Sequence, residues 1–132
     1  MEVEGRPVRI LLVDDDKNMV ASMRTFLKRT GYEVLEAYEG LGALEIATRE
    51  NPDVVILVIE MPGIKGAEVV NRLRADPRTE DMPVIFLTAR VDLDAMEETY
   101  EEEAQGYLLK PLSTGDLLQK IEEVLGIAPS GI

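Results

Sequence analysis

Apolar positions along the chain fall into short runs that switch repeatedly between two spacings. Val8 to Val13 is a β-rich run broken only by Arg9, and it stops at three consecutive aspartates, Asp14 to Asp16. From Asn18 the spacing changes. Met19, Val20, Met23, Phe26 and Leu27 recur at three and four residues, which is one face of a helix. Gly31 stands where a helix C-cap glycine belongs. Tyr32 to Tyr38 alternates and predicts a strand with one side more exposed. Gly42 to Glu50 predicts a short helix that Asn51 and Pro52 end. Val54 to Ile59 is apolar throughout, as suits a central parallel strand covered on both faces. After the loop "MPGIKG", the spacing predicts a helix over Gly66 to Ala75, with Val69, Val70 and Leu73 facing inward. Pro83 to Thr88 reads as a fourth strand. "DLDAMEETYEEEA" has helical spacing with little apolar content. "GYLLKP" reads as a short fifth strand ended by Pro111. Leu117, Leu118, Ile121, Val124 and Leu125 mark a last amphipathic helix closed by Gly126.

Five β/α repeats with short connections predict an α/β fold with an open, doubly wound parallel sheet and helices on both faces. Right-handed crossovers leave few topologies. The expected one is flavodoxin-like, with strand order 2-1-3-4-5. Its ligand crevice lies at the C-terminal ends of strands 1 and 3, where the order reverses. The residues at such ends are Asp14 and Asp15, Val58 to Glu60, Thr88 and Lys110. The expected division is an extension and start of strand 1 over residues 1–8, one domain over 8–126, and a tail or linker over 127–132.

Composition narrows the chemistry. The chain has 132 residues, enough for one ordinary core, and contains neither cysteine nor histidine. Disulfides, thiolate zinc sites and histidine bases are thereby excluded. The formal net charge of −12 argues against direct nucleic-acid binding, which needs clustered cations. No run approaches the ~20 apolar residues of a membrane span, and the N-terminus lacks a signal-peptide layout. The expectation is a cytoplasmic protein without membrane contact. A flavin phosphate is disfavoured because "DDDKNM" after strand 1 would repel it.

Each crevice residue also has a purely structural reading. Asp14 to Asp16 would serve as an acidic helix cap, Thr88 as an ordinary strand residue, Lys110 as a solvated lysine. Their convergence from separate strand ends favours a site. Four stretches then carry a resemblance: "ILLVDDD", "PDVVILVIEMPGIKG", "PVIFLTA" and "GYLLKPL". Together they make the chain similar to the receiver domains of two-component response regulators, over about Arg9 to Leu125. The resemblance implies a phosphorelay role in which an aspartate at the end of the third strand accepts a phosphoryl group from a kinase phosphohistidine. It assigns Asp14 and Asp15 to a Mg²⁺ site, Thr88 and Lys110 to phosphoryl oxygens, Ala89 to the small residue beside the hydroxyl, and Tyr107 to the switch aromatic.

The gapless match through Met61–Pro62–Gly63 puts the acceptor position on Val58, which has no oxygen. A covalent intermediate needs a nucleophile, so the expectation is a pseudo-receiver, not an enzyme, acting by protein contact. Mg²⁺ binding is expected to be weak, from Asp14, Asp15 and Glu60. Two alternatives remain: Glu60 as a substitute acceptor, or an ordinary receiver into which Val58 was introduced. By the same resemblance, the face over residues 92–125 is expected to meet a kinase, output domain or regulator. That face includes seven acids between Asp92 and Glu103 and no lysine or arginine among them.

Overall fold

The computed structural model describes residues 2–3, 5–59, 61, 63–88, 106–109 and 113–127. Its main elements are β1 (Arg9–Val13), α1 (Lys17–Arg29), β2 (Glu33–Ala37), α2 (Gly40–Glu50), β3 (Val54–Val58), α3 (Gly66–Ala75), β4 (Val84–Thr88), β5 (Gly106–Leu109) and α4 (Thr114–Leu125). The five strands form one parallel sheet in the order β2-β1-β3-β4-β5. This is the flavodoxin-like arrangement that the alternating pattern predicts. The helix expected over "DLDAMEETYEEEA" lies outside the described residues, as do Glu60, Ala89 and Lys110.

Side-chain alternation divides the core between the two faces of the sheet. Leu11, Val13, Val55, Leu57, Val84 and Phe86 pack with Ala43 and Ala47 of α2 and with Val69, Val70 and Leu73 of α3. Ile10, Leu12, Val54, Ile56, Ile85 and Leu87 pack with Val20 and Leu27 of α1 and with Leu117, Leu118 and Ile121 of α4. All five residues of β3 are buried, because helices cover both of its faces. Each such Val, Leu or Ile contributes about 1.5–3 kcal/mol by leaving water.

Local chemistry sets the ends of the helices. Asp16 accepts hydrogen bonds from the Asn18 and Met19 amides at 3.1 Å and caps α1. Gly31 follows its C-cap with φ of +102°, a conformation that favours glycine. α2 starts two residues before the predicted Gly42. Glu39 accepts from the Leu41 and Gly42 amides, so the helix begins at Gly40 despite two early glycines. Ser113 caps α4 through the Asp116 amide at 3.0 Å, and Gly126 closes it at φ +65°.

The opposite end of the sheet carries a feature the pattern does not reveal. Glu2–Val3 and Arg6–Pro7 form a short antiparallel pair around Gly5, whose φ is +78°. Two-residue strands are too short to register as periodicity. Arg6 forks onto Asp53 with bonds of 2.8 and 2.9 Å, and the Arg9 amide donates to the same carboxylate at 2.8 Å. Arg9 itself binds Glu50 at 2.9 Å. Nearby, burial foremost and the charge of Glu122 push the Tyr32 phenol up to about 12. Its hydroxyl is buried with no hydrogen-bond partner among the described residues.

Two predictions follow from these contacts. Burial raises the Asp53 pKa, but the Arg6 bonds and the Arg9 amide outweigh it and leave it below its usual value. A lowered carboxyl pKa contributes stability above the unfolded value of about 4, lost as pH falls through the folded value. Asp53→Asn should therefore melt lower than wild type at pH 7, and the two melting curves should converge in acid. Gly66 is the second site. A Cβ there would lie 3.0 Å from both the Ile59 Cα and the Val58 carbonyl oxygen, which are backbone atoms. Gly66→Ala should cost about 1–3 kcal/mol by overpacking, read as a lower urea midpoint at unchanged slope.

Candidate functional site

The strand register brings Asp14, Val58 and Thr88 of the predicted residues to one edge of the sheet. Val13 pairs with Leu57, Leu57 with Phe86, and Phe86 with Tyr107, which defines one tier across four strands. One residue further on, Asp14 stands beside Val58, and Val58 pairs with Leu87. The Asp14 amide extends the ladder by donating to Ala37 at 3.2 Å. Neighbouring strands lie about 5 Å apart, so the Asp14 and Val58 backbones are that close. Thr88, the last residue of β4, follows Leu87 and pairs with Leu109.

The three aspartates after β1 do three different things. Asp14 is 3% exposed, and its Oδ1 accepts the Asp16 amide at 3.0 Å. Asp15 is exposed. Asp16 is the cap of α1, so the structural reading of an acidic cap holds for this residue. Val58 is 6% exposed and closes the apolar cluster together with Ile59 and Met61. Thr88 is buried at the same edge. Tyr107 is half-buried, with its ring centroid 5.8 Å from that of Phe86 and the planes tilted by 36°. The Gly66 amide donates to the Ile59 carbonyl at 2.9 Å and holds the loop after β3 against the strand.

A cation at this edge would find hard oxygen donors in Asp14 and Asp15. Among the described residues no group of three or more acidic side chains could hold a metal. Beside Asp14, where β3 could add a carboxylate, Val58 presents methyl groups. The set suits Mg²⁺ only as a two-carboxylate site completed by water. Glu60, the expected third ligand, lies outside the described residues.

The flank of the crevice holds groups that sequence reasoning missed. The Tyr38 hydroxyl donates to Glu36, which also binds Arg24 of α1. The Tyr38 hydroxyl first, and then Arg24, hold the Glu36 carboxyl below its usual range against its partial burial. Lys17 lies 5.2 Å from the centre of the Tyr38 ring. Glu36 and Tyr38 lie two residues apart, but Lys17 and Arg24 come from α1, so no local spacing could have joined the whole group. Among the described residues, Tyr38 and Leu41 are the exposed large hydrophobic ones, at 37% and 57%.

Comparison with known proteins agrees with this geometry. The family model described as response regulator receiver domain matches residues 10–122. The transcriptional regulatory protein PrrA of Mycobacterium tuberculosis is 38% identical over 117 residues, which cover 89% of this chain and 49% of the relative. Response regulator MprA of Mycobacterium leprae is 37% identical over 118 residues, covering 89% and 51%. The chain spans about half the length of these curated relatives. Among solved structures, chemotaxis protein CheY4 of Vibrio cholerae superposes with a TM-score of 0.83 at 30% identity, over 90% of this chain and 99% of that one. A putative response regulator from Chloroflexus aurantiacus gives 0.85 at 33% identity, over 92% and 99%. Among the described residues no helix is long and apolar enough to cross a membrane.

The tier of Asp14 and Val58 generates a stability prediction. Val58→Asp would place a second carboxylate in a nearly closed apolar position about 5 Å from Asp14. Burial and the like charge both raise the pKa of the new group. The variant should lose about 1–3 kcal/mol at pH 7. The deficit should shrink as pH falls toward about 4, and millimolar Mg²⁺ should recover part of it. Thermal melts with and without the cation measure both effects.

Proposed function

Because the chain belongs to the response regulator receiver family, we propose that it acts in two-component signalling as a phosphorylation-independent receiver, through protein contact. The observation that carries this reading is Val58. The gapless sequence match through Met61 puts the acceptor position on this residue, and its side chain at the end of β3 is packed rather than open to a reactant. Phosphoryl transfer to a receiver needs a carboxylate oxygen to attack phosphorus, and valine has none. The rest of the constellation is retained: Asp14 and Asp15 after β1, Thr88 at the end of β4, and Lys110 after β5 in sequence. That combination fits a domain whose shape is kept for recognition while its chemistry is absent.

When bound, Mg²⁺ would neutralise the carboxylate pair and draw phosphate oxygens to it. In this chain Asp14 and Asp15 would hold the ion, and Asp14 is itself oriented by the Asp16 amide. A partner is expected on the face over residues 92–125, where the acids between Asp92 and Glu103 favour a basic surface and salt-sensitive association. An output domain attached in the same polypeptide would serve equally as that partner.

Intact-mass measurement after incubation with Mg²⁺ and a small acyl phosphate tests the reading. Wild type should gain no phosphoryl group, and Val58→Asp should gain one. A one-phosphate shift in wild type that disappears in Glu60→Gln would replace this reading with a glutamate acceptor. Calorimetry should find Mg²⁺ affinity no tighter than millimolar, as for loose sites with few protein ligands. Micromolar binding would mean that a third carboxylate reaches the ion.

A further inference from the structure

One outer edge of the sheet is formed by β2. Glu33 donates its amide to Val8, and Ala37 accepts from the Asp14 amide, both toward β1. In a parallel ladder these directions alternate along the strand. The amides and carbonyls of Val34 and Glu36 therefore point away from β1. Among the described residues no strand pairs with that side of β2. Natural sheets blunt such edges with outward charges, prolines or bulges. Here no proline interrupts β2, the exposed Glu33 at its start is paired with Arg9 at 3.5 Å, and the Glu36 carboxylate is held by Arg24 of α1 and by the Tyr38 hydroxyl. A hollow of 480 Å³ opens along the edge, lined by Arg9, Lys28, Gly31, Glu33, Val34 and Leu35.

The charge beside this edge is opposite to that of the molecule. Residues 17–31 contain four cations and no acid, in a chain of net charge −12. Lys17, Arg24 and Lys28 stand seven and four residues apart, which puts them on one stripe of α1. The structure fixes where the stripe runs. Lys17 lies over Tyr38, Arg24 binds Glu36, and Lys28 lines the hollow beside Glu33 to Leu35. The twelve residues from Lys17 to Lys28 span about 18 Å, and the five residues of β2 span about 17 Å. The basic stripe therefore accompanies the open edge over its whole length.

We propose that the edge of β2 takes up an extended, acidic segment of a partner protein, which adds as a sixth strand with its carboxylates along the basic stripe of α1. Main-chain hydrogen bonds to Val34 and Glu36 supply affinity in such strand addition, and side-chain charge supplies selectivity. The inference is independent of Val58 and of the acceptor chemistry.

Fluorescence anisotropy with a labelled octapeptide of alternating glutamate and valine tests it, with a lysine–valine peptide as control. The acidic peptide should bind at 50 mM salt, lose affinity severalfold at 300 mM, and outbind the control at least tenfold. Lys17→Glu combined with Lys28→Glu should weaken it at least tenfold. Val34→Pro removes an outward amide without removing a bond to β1, and it should abolish binding. Amide exchange in wild type, read at Val34 and Glu36 with and without peptide, decides the matter if that variant melts early. Equal binding of the two peptides, unchanged exchange at both amides, or no binding at millimolar peptide overturns the proposal.

Discussion

Burial of β3 on both faces is the constraint from which the rest of the architecture follows. A strand without a polar side chain must be covered above and below. Here α2 and α3 cover one side and α1 and α4 the other. The covering helices force parallel crossovers, and parallel crossovers gather every strand's C-terminal end at one edge. Asp14, Val58 and Thr88 meet there because of that packing, although they lie far apart in sequence. The same constraint explains how Val58 can sit at the edge without disturbing the fold. It continues the apolar run and closes the cluster with Ile59 and Met61.

The crevice and the frame around it therefore answer to different demands. Asp14 is buried and oriented by a backbone amide, and Gly66 brings the following loop within touching distance of β3. Neither arrangement depends on a polar side chain at position 58. Charge is distributed unevenly along the chain. α1 is wholly basic among its ionisable groups, whereas the sequence from Asp92 to Glu103 is wholly acidic. A net charge of −12 thus conceals two stretches of opposite sign.

Much of this was legible in the chain because the signals were either long or chemically sharp. The apolar run of β3 and the spacing of α3 announced themselves, and α3 has the predicted ends, Gly66 and Ala75. The strand order followed from counting repeats and applying the handedness of crossovers. The early start of α2 was hidden, because Glu39 caps it from outside the apolar pattern and two glycines mask the first turn. "DDD" could not reveal that Asp14 is buried while Asp16 caps a helix, since identical residues take their roles from where the strand stops. The Tyr38–Glu36–Arg24 group was invisible because Arg24 joins the local Glu36–Tyr38 pair only through the packing of α1 on β2.

The clasp of Arg6 on Asp53 gives the molecule two poles. Asp53 precedes β3, so the beginning of the chain is fastened at the end of the sheet remote from the crevice. α4 runs back to the same pole, where the charge of Glu122 reaches Tyr32 at the start of β2 and Ile127 packs into the core. A fluorophore or affinity handle attached beside Arg6 or Ile127 would thus sit behind the site. It would leave the Asp14–Val58 edge uncovered and would sense events there only through movement of the intervening sheet.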